Sequence, residues 1–410
     1  MITITDSRDC CGCNACAQKC PKQCIAMSED EEGFLYPHVD HSICVDCHIC
    51  EKVCPVLHQD ERRFPTLCYA ALNPDIAIRK ESSSGGVFTM LAEKVIDDGG
   101  VVFGAAWNNK WQVVHQYSEN KEGLAAFRGS KYVQSVIGDT YKQAEEFLKA
   151  GRLVLFTGTP CQIAGLKKFL VNDYDNLLTV DFICHGVPSP KVFRWYLQEE
   201  INNFAMRNEP NIPCRSSLIS NKINEEVILP DGLKISGINF RDKRKGWKTF
   251  SFVLTLTKET TVGNNKTEAI SSTLHENSFL KGFLNNYYLR PVCEKCLAKQ
   301  FKSGSDITIA DYWGYKDNGF EDDDTGISAV LILTEKGGNA LNNVDCLKNE
   351  VPYNDILRIN GAAEHSASAP YRAYFFQQKN QSFNEVISKL TSTKFIDKVI
   401  RKIWLKTHRK

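Results

Sequence analysis

Two cysteine runs with the same spacing lie within the first 55 residues of this 410-residue chain. They read Cys10-x2-Cys13-x2-Cys16-x3-Cys20-Pro21 and Cys44-x2-Cys47-x2-Cys50-x3-Cys54-Pro55. Three closely spaced thiolates can hold one face of a [4Fe–4S] cluster, while the fourth cysteine, which precedes a proline, reaches the other cluster. The spacing therefore predicts two clusters with crossed ligands. These are Cys10, Cys13, Cys16 and Cys54 for one cluster, and Cys44, Cys47, Cys50 and Cys20 for the other.

Zinc is the alternative metal for paired C-x2-C units. A zinc ion takes four thiolates, however, and gives no reason for a doubled triplet with a trailing Cys-Pro. We therefore expect the first 58 residues to form an electron-transfer module. Cys11 and Cys24 fall outside the spacing, so we expect them to pack beside the clusters rather than to bind iron.

Four further cysteines lie much farther along the chain. Cys161 and Cys184 each follow a predicted strand, and Cys293 and Cys296 form a C-x2-C pair. The carboxyl ends of parallel strands share one edge of a sheet, so these thiols could converge on a third [4Fe–4S] cluster. The alternative is that Cys161 and Cys184 are small core residues and the C-x2-C pair binds zinc or nothing.

Two polar segments could hold an anionic group. The first, Ser83-Ser84-Gly85-Gly86, opens a predicted helix whose free N–H groups and positive dipole end could bind a phosphate. From the residues alone, an ordinary serine N-cap is the favoured alternative. The second segment, residues 128–135, contains two cations, an aromatic ring and an amide that suit the phosphates or the ring of a flavin. These are Arg128, Lys131, Tyr132 and Gln134, and Ser130 lies among them. The alternative is a solvated loop. No G-x-G-x-x-G motif follows a predicted strand, which argues against a conventional nicotinamide site.

Apolar runs at 101–103, 152–156, 177–183 and 306–310 read as buried strands, and helical patterns cover 87–96 and 163–170. Continuous apolar strands joined by helices indicate a parallel arrangement covered on both faces. We expect an α+β fold with an α/β-like core and a mixed sheet. Residues 210–275 alternate more weakly and predict an antiparallel β insertion.

The chain divides into a two-cluster module at 1–58, a linker at 59–66, a large domain at 67–382 and a basic amphipathic helix at 383–410. The apolar positions of that helix are Phe395, Ile396, Val399, Ile400, Ile403 and Trp404. Such a stripe packs against a protein core or lies on an anionic membrane surface.

Bulk composition narrows the cellular setting. The net charge of +1 gives no electrostatic case for nucleic acid. The first residues show no signal-peptide pattern, and no apolar stretch is long enough to span a bilayer. We expect a reducing, cytoplasmic location, with any membrane contact peripheral and at the inner face.

The combined motifs resemble the coenzyme F420 hydrogenase/dehydrogenase beta subunits that carry an N-terminal two-cluster ferredoxin module. The motifs are the twin cysteine runs, Ser83–Gly86, Gly129–Tyr132, Thr157–Gln162, Cys184–Pro190, Cys293-x2-Cys296 and Ser305–Asp311. The resemblance implies a larger FAD-binding domain with its own [4Fe–4S] cluster. It also adds Thr157 and Gly158 to the predicted flavin site.

The expected activity is an oxidoreductase that couples two-electron hydride transfer at FAD to one-electron transfer through clusters. Lys131 is the candidate cation near the flavin, and His185 the candidate proton donor beside the third cluster. The expected partners are a redox protein or ferredoxin and a small hydride donor or acceptor. The alternatives are a non-catalytic relay protein, a flavin reductase of an organic substrate that does not use F420, for example in polysaccharide biosynthesis, and a zinc-dependent structural protein.

Overall fold

The computed structural model describes residues 1–208, 226–258, 265–313, 318–378 and 381–407. The strands of these residues are β1 (Ile25–Glu29), β2 (Leu35–Val39), β3 (Leu67–Leu72), β4 (Val101–Trp107), β5 (Val113–Ser118), β6 (Val154–Thr157), β7 (Leu177–Phe182), β8 (Leu233–Asp242), β9 (Ser251–Lys258), β10 (Lys266–Thr273), β11 (Ile307–Asp311), β12 (Ser328–Ile332) and β13 (Leu347–Glu350).

The α-helices are α1 (Ala15–Lys19), α2 (Ile49–Lys52), α3 (Ile76–Glu81), α4 (Val87–Asp97), α5 (Lys121–Leu124), α6 (Thr140–Lys149), α7 (Pro160–Leu170), α8 (Pro190–Asn208), α9 (Ser278–Leu284), α10 (Glu335–Asn342), α11 (Tyr353–Ile359), α12 (Arg372–Gln377), α13 (Phe383–Thr391) and α14 (Phe395–Thr407). Short 3-10 helices span Ser7–Asp9, Ala125–Phe127, Pro291–Lys295 and Gly361–Ala363.

A mixed eight-stranded sheet forms the centre of the protein, in the order β13-β3-β12-β11-β7-β6-β4-β5. The four middle strands β4, β6, β7 and β11 are parallel, as their continuous apolar runs predict. The flanking strands β5, β12, β3 and β13 pair in the antiparallel sense. The described structure thus confirms a mixed α/β fold.

Helices cover both faces of this sheet, and strand alternation decides which side chain meets which helix. Phe103 and Phe156 point to the face covered by α6 and α7, where Cys11 and Cys13 of the N-terminal module join the same core. Val102 and Leu155, one position along, point to the face covered by α4. The sheet is therefore buried on both sides, as its apolar strands require.

A second, antiparallel sheet of three strands, β8-β9-β10, lies within the predicted insertion at 210–275. This confirms the antiparallel prediction for residues 233–258 and 266–273. The parts of the prediction at 210–225 and 259–264 lie outside the described residues.

The N-terminal module is bound directly to the large sheet domain. Its β1-β2 hairpin and helices α1 and α2 form one unit, and α1 packs on α6 and α7. Ion pairs cross the contact between Lys19 and Glu145 and between Arg372 and Glu32. The predicted linker at 59–66 is held as well, because Lys168 binds Asp60 at 2.6 Å.

The predicted C-terminal helix is two helices, α13 and α14, in the described residues. The break falls at Ser392, whose backbone turns extended and whose hydroxyl accepts a hydrogen bond from the backbone N–H of Lys394 at 3.1 Å. Trp404 packs edge-on against Tyr374 at 5.3 Å. Ile400 and Ile403 stay 46% and 55% exposed. The alternatives of core packing and membrane contact thus both remain predictions, and residues 408–410 lie outside the described residues.

No described helix has the length and apolar character needed to cross a membrane.

The turn before α4 is wedged between two strands of the large sheet. The backbone N–H of Gly85 donates to Ser328 Oγ at 2.9 Å, and its carbonyl accepts from the backbone N–H of Asn73 at 2.7 Å. A Cβ atom at Gly85 would lie 2.4 Å from the carbonyl oxygen of Ala71 and 2.7 Å from the backbone nitrogen of Ser328. Only glycine fits between these backbones.

Gly85→Ala is expected to destabilise the fold by about 1–3 kcal/mol, the usual cost of overpacking where backbone must move. Thermal unfolding of the variant measures this. Gly361→Ala serves as the control, because nothing lies within 4 Å of its Cβ position. Equal midpoints for the two variants would contradict this account of the turn.

Candidate functional site

The register of two parallel strands brings Cys161 and Cys184 to the same edge of the large sheet. Thr157 of β6 pairs with Val180 of β7, and each cysteine stands four residues beyond one member of that pair. Helix α7 starts directly after β6, with Thr159 as its N-cap and the Thr159 hydroxyl 3.2 Å from Cys161 Sγ. The two thiols are therefore placed by backbone pairing.

Backbone contacts between residues 187–188 and 289–290 bring the C-x2-C pair next to Cys161 and Cys184. The backbone N–H of Arg290 donates to the carbonyl of Val187 at 2.9 Å, and Pro188 bridges to Leu289. The 3-10 helix that follows carries Cys293 and precedes Cys296. All four predicted cysteines consequently line one cavity, together with Cys11, His185 and Lys299.

These four cysteines suit a soft metal group. Burial raises the pKa of Cys293 to about 12 and that of Cys184 well above its ordinary value, so neither thiol ionises readily until a metal replaces its proton. Four thiol donors from three separate segments are the donor set of a [4Fe–4S] cluster. In the described residues, no three His, Cys, Asp or Glu side chains are grouped to hold a single metal ion.

The two N-terminal runs adopt the same local structure. In each run the first cysteine Sγ accepts a 3.4 Å hydrogen bond from the backbone N–H two residues later, that of Gly12 in one run and of Asp46 in the other. Asn14 and His48, at the N-caps of α1 and α2, both have left-handed backbone. The internal repeat seen in the sequence is thus a repeat of conformation.

The fourth cysteine of each run lies with the other run. Cys20 lines a second cavity together with Cys44, Cys47 and Cys50. Cys54 lies near Cys10, Cys16 and its own run's Cys50, and Cys13 lies near Cys10 and Cys16. This arrangement fits the crossed ligand sets of the prediction.

The two remaining cysteines of the module lie at the edges of these sites. Cys24 Sγ is 3.4 Å from Cys20 Sγ and lines the second cavity. Cys11 hydrogen-bonds with Cys13 on one side and with Cys161 on the other. Cys11 therefore stands where the N-terminal module meets the cavity of the large domain.

Three residues of the predicted flavin site meet around one arginine. Ser83 Oγ and Ser130 Oγ are 2.8 Å apart, and Arg241 donates to the carbonyl of Ser83 at 3.0 Å and to the hydroxyl of Tyr132 at 3.2 Å. Asp311 pairs with Arg241 at 2.9 Å. Two segments that are separate in sequence thus form one polar surface.

The rest of the serine and glycine turn is used inside the protein. Ser84 Oγ donates to the carbonyl of Ile327 at 2.7 Å, and the N–H of Gly85 already has its partner in Ser328. Gly86 is the left-handed N-cap of α4. The Ser84 hydroxyl and the Gly85 N–H are therefore used in contacts with the segment before and at the start of β12.

Lys131, Thr157 and Gly158 surround a buried histidine that the sequence reasoning missed. His115 Nε2 is 3.0 Å from the Thr157 carbonyl oxygen and 3.4 Å from the Cβ position of Gly158. Its Nδ1 atom is buried without a partner in the described residues. The one available signal is its place in β5, where Val113 and His115 share the buried side.

Burial makes both bases of this neighbourhood weak. Part of the Lys131 side chain is exposed, but its amine is enclosed and donates to the carbonyl of Arg128 at 3.0 Å. The enclosure lowers the pKa of Lys131 to about 7. Burial likewise lowers the pKa of His115 to about 4, so its ring is neutral at pH 7.

Gln134 and His185 lie away from this neighbourhood. Gln134 donates to the carbonyl of Cys11 at 3.0 Å and also lines a separate cavity between the N-terminal module and β5. His185 lines the cysteine cavity, where its Nε2 is 2.6 Å from Asn286 Oδ1 and burial lowers its pKa. The structure therefore splits the predicted catalytic pair, with Lys131 beside His115 and His185 beside the cysteines.

His115 predicts a specific loss of stability in acid. Its pKa falls from 6.5 to about 4 on folding, so the unfolded chain binds the proton more tightly and stability is lost as the pH falls from 6.5 toward 4. The loss at pH 5 is about 2 kcal/mol. Denaturant unfolding at pH 7 and pH 5 should show a smaller difference for His115→Gln than for the natural chain. The exposed His275→Gln variant is the control, and an unchanged difference in His115→Gln would contradict the prediction.

Comparison with known families gives two matches. The 4Fe-4S dicluster domain matches residues 9–57, and the carboxyl-terminal family of the coenzyme F420 hydrogenase/dehydrogenase beta subunit matches residues 151–210. The first covers both cysteine runs. The second covers β6, α7 and β7 with Cys161 and Cys184.

Three curated proteins are similar over parts of the chain. An F420H2 dehydrogenase subunit of Methanosarcina mazei is 23% identical over 188 residues, which are 43% of this chain and 53% of that protein. A 7Fe ferredoxin of Hydrogenibacillus schlegelii is 39% identical over 49 residues, 11% of this chain and 56% of that protein. A ferredoxin of Mycolicibacterium smegmatis is 36% identical over 74 residues, 17% of this chain and 65% of that protein. The chain thus spans less than two thirds of each relative.

A solved structure of the F420-reducing [NiFe] hydrogenase complex from Methanosarcina barkeri aligns with 82% of this chain and 95% of its own chain, at 17% identity and a TM-score of 0.42. The sequence matches identify the chain as a relative of the coenzyme F420 hydrogenase/dehydrogenase beta subunits with a 4Fe-4S dicluster domain at its N-terminus.

Proposed function

We propose that this protein is an iron–sulfur flavoprotein oxidoreductase that exchanges hydride with a small molecule at FAD and electrons with a protein partner through three [4Fe–4S] clusters. The observation that carries the proposal is the convergence of Cys161, Cys184, Cys293 and Cys296 on one cavity that also touches Cys11. A flavin takes up two electrons as hydride and releases them singly, whereas a [4Fe–4S] cluster carries one at a time. The family relation supports the oxidoreductase class.

A continuous line of contacts supports the route between the two kinds of group. Thr157 and Gly158 end β6 beside His115, and the next residue, Thr159, caps α7 and contacts Cys161. Cys161 in turn contacts Cys11, the neighbour of the first cysteine run. The predicted flavin residues Thr157 and Gly158 therefore lie within four residues of Cys161 in the third cluster site.

The chain's own residues supply protons and orientation in this proposal. Lys131, with a pKa of about 7, can hold or release a proton near neutral pH, which suits a group beside a ring whose charge changes on reduction. His185, held by Asn286, could deliver a proton at the cysteine cavity. Arg241 orients the Ser83 and Tyr132 side of the site.

The electron partner is proposed to be a redox protein or a ferredoxin. The relative from Methanosarcina mazei is named as part of a dehydrogenase, which supports a protein partner for this chain. Anaerobic reduction of the reconstituted protein by reduced F420, reduced ferredoxin and NAD(P)H identifies the donor. Bleaching of both flavin and cluster absorbance by a hydride donor supports the proposal. Clusters without flavin would indicate the non-catalytic relay protein. A colourless zinc protein would indicate the structural alternative. Bound flavin without F420 turnover would indicate a reductase of another organic substrate.

Cys161→Ser is expected to lose about four of about twelve irons per chain, because it removes one thiolate of the third cluster and none of the first two. Iron and sulfide analysis of the anaerobically reconstituted variant measures this. Cys346→Ser is the matched control, because this half-buried thiol lies against the carbonyls of Leu72 and Leu347 and is not among the residues that line either cysteine cavity. A natural chain with about eight irons, or a Cys161→Ser variant with the full number, would rule out the third cluster.

Lys131→Met is expected to weaken FAD binding about tenfold, because a charge-assisted hydrogen bond contributes roughly 1.5–3 kcal/mol and part of it is replaced by water. Titration of the flavin-free protein with FAD gives the dissociation constants. Lys121→Met removes the same charge at an exposed ion pair with Asp97 and should bind FAD as the natural chain does. If all three proteins bind FAD equally, Lys131 does not contact the flavin.

A further inference from the structure

Arg290 is completely buried, with 0% exposure, where the N-terminal module meets the cysteine cavity. Its guanidinium donates to the carbonyl of Cys10 at 2.8 Å, to Gln134 Oε1 at 3.0 Å and to the carbonyl of Leu35 at 2.9 Å. The face of the guanidinium lies 4.3 Å from the ring centre of Tyr36. One arginine side chain therefore contacts the module and lines the cavity of the large domain.

Arg290 has no carboxylate partner among the described residues. The other buried arginines each have one, since Arg79 pairs with Asp323, Arg194 with Glu29 and Arg241 with Asp311. The partners that Arg290 does have are carbonyls, an amide and a ring. A buried charge without an opposite charge is costly, so this position calls for an anion that is not a side-chain carboxylate.

Sulfur sites flank the guanidinium on two sides. Its Nη2 atom is 3.6 Å from Cys10 Sγ, which belongs to the first predicted cluster. The same side chain lines the cavity of Cys161, Cys184, Cys293 and Cys296. Four thiolates around a core of charge +2 give a cluster with a net charge of −2, and reduction makes it −3. Both flanking sites therefore bring negative charge to Arg290 when they hold iron.

We infer that Arg290 is a shared counter-cation for the first and third clusters and sets the reduction potentials of both. This inference rests on the proposed cluster content. A fixed positive charge in the buried contact between the module and the large domain stabilises the reduced, more negative form of each cluster. It therefore raises the reduction potential of each cluster. Because the same charge acts on both clusters, it favours an electron on the first or third cluster over an electron on the second cluster.

Gln134 holds the guanidinium in this position. Its Oε1 accepts from Arg290 while its Nε2 donates to the carbonyl of Cys11. A Cβ atom at Gly12 would lie 2.7 Å from Arg290 Nη1 and 3.0 Å from Gln134 Nε2, so the backbone of the first cysteine run passes directly over the pair. Gln134, which the sequence placed with the flavin, is a positioning residue for Arg290.

The test is an anaerobic redox titration of the reconstituted full chain, followed by electron paramagnetic resonance. Arg290→Met should shift two of three midpoint potentials downward by at least a tenfold change in the reduction equilibrium, about 59 mV for a one-electron couple. The cluster of Cys20, Cys44, Cys47 and Cys50 should not move. Arg290→Lys keeps the charge, so its midpoint potentials should stay close to those of the natural chain. Arg79→Met removes the same charge far from these cysteines and should leave all three midpoints unchanged.

Unchanged midpoints in an Arg290→Met protein that holds three clusters would overturn the inference about Arg290 alone. A natural chain with about eight irons would instead remove the third cluster and the proposed function with it. If Arg290→Met does not hold all its clusters, the iron content of Arg290→Met, Arg290→Gln and Arg290→Lys is compared instead. Loss of iron in both neutral variants with retention in Arg290→Lys supports the counter-charge, and equal loss in Arg290→Lys contradicts it.

Discussion

The pairing of β6 with β7 is the constraint on which the rest of this site depends. Backbone hydrogen bonds fix Thr157 opposite Val180, and Cys161 and Cys184 each stand four residues beyond this pair. A slip of one residue would turn every side chain of the strand to the other face of the sheet. Burial of the apolar side chains therefore fixes the strand register, and the register fixes the relative positions of the two thiols.

The contact between the N-terminal module and the large domain follows from a different balance of forces. Surface ion pairs such as Lys19 with Glu145 contribute little individually in water. The centre of the contact is buried and hydrogen-bonded, with Cys13 packed against Gly165 of α7, where a Cβ would lie 2.7 Å from Cys13 Cβ. Close packing at the centre of this contact, rather than charge at its rim, fixes the position of the module on the large domain.

Local patterns allowed much of this arrangement to be predicted. The cysteine runs could be read because their spacing is set by one cluster geometry, and the four central strands because each contains a run of mainly apolar residues. The direction of β12 could not be read, since a buried antiparallel strand has the same composition as a buried parallel one. Arg290 left no local signal, and His115 left only the strand alternation that places it on the buried side of β5. The roles of both residues arise from contacts between segments far apart in sequence. Gln134 was predicted beside Lys131, yet β5 pairs with Val136 and directs Gln134 to the module instead.

The cysteine cavity is lined by residues that lie far apart in sequence, from Cys11 of the module to Lys299 beyond the C-x2-C pair. This has a consequence for biogenesis. During synthesis the two N-terminal cysteine runs emerge as a complete set, whereas the cavity behind them does not exist until the segment through Lys299 has left the ribosome and folded back. Under the proposed function, the cavity would therefore take up its iron later than the two N-terminal cysteine runs.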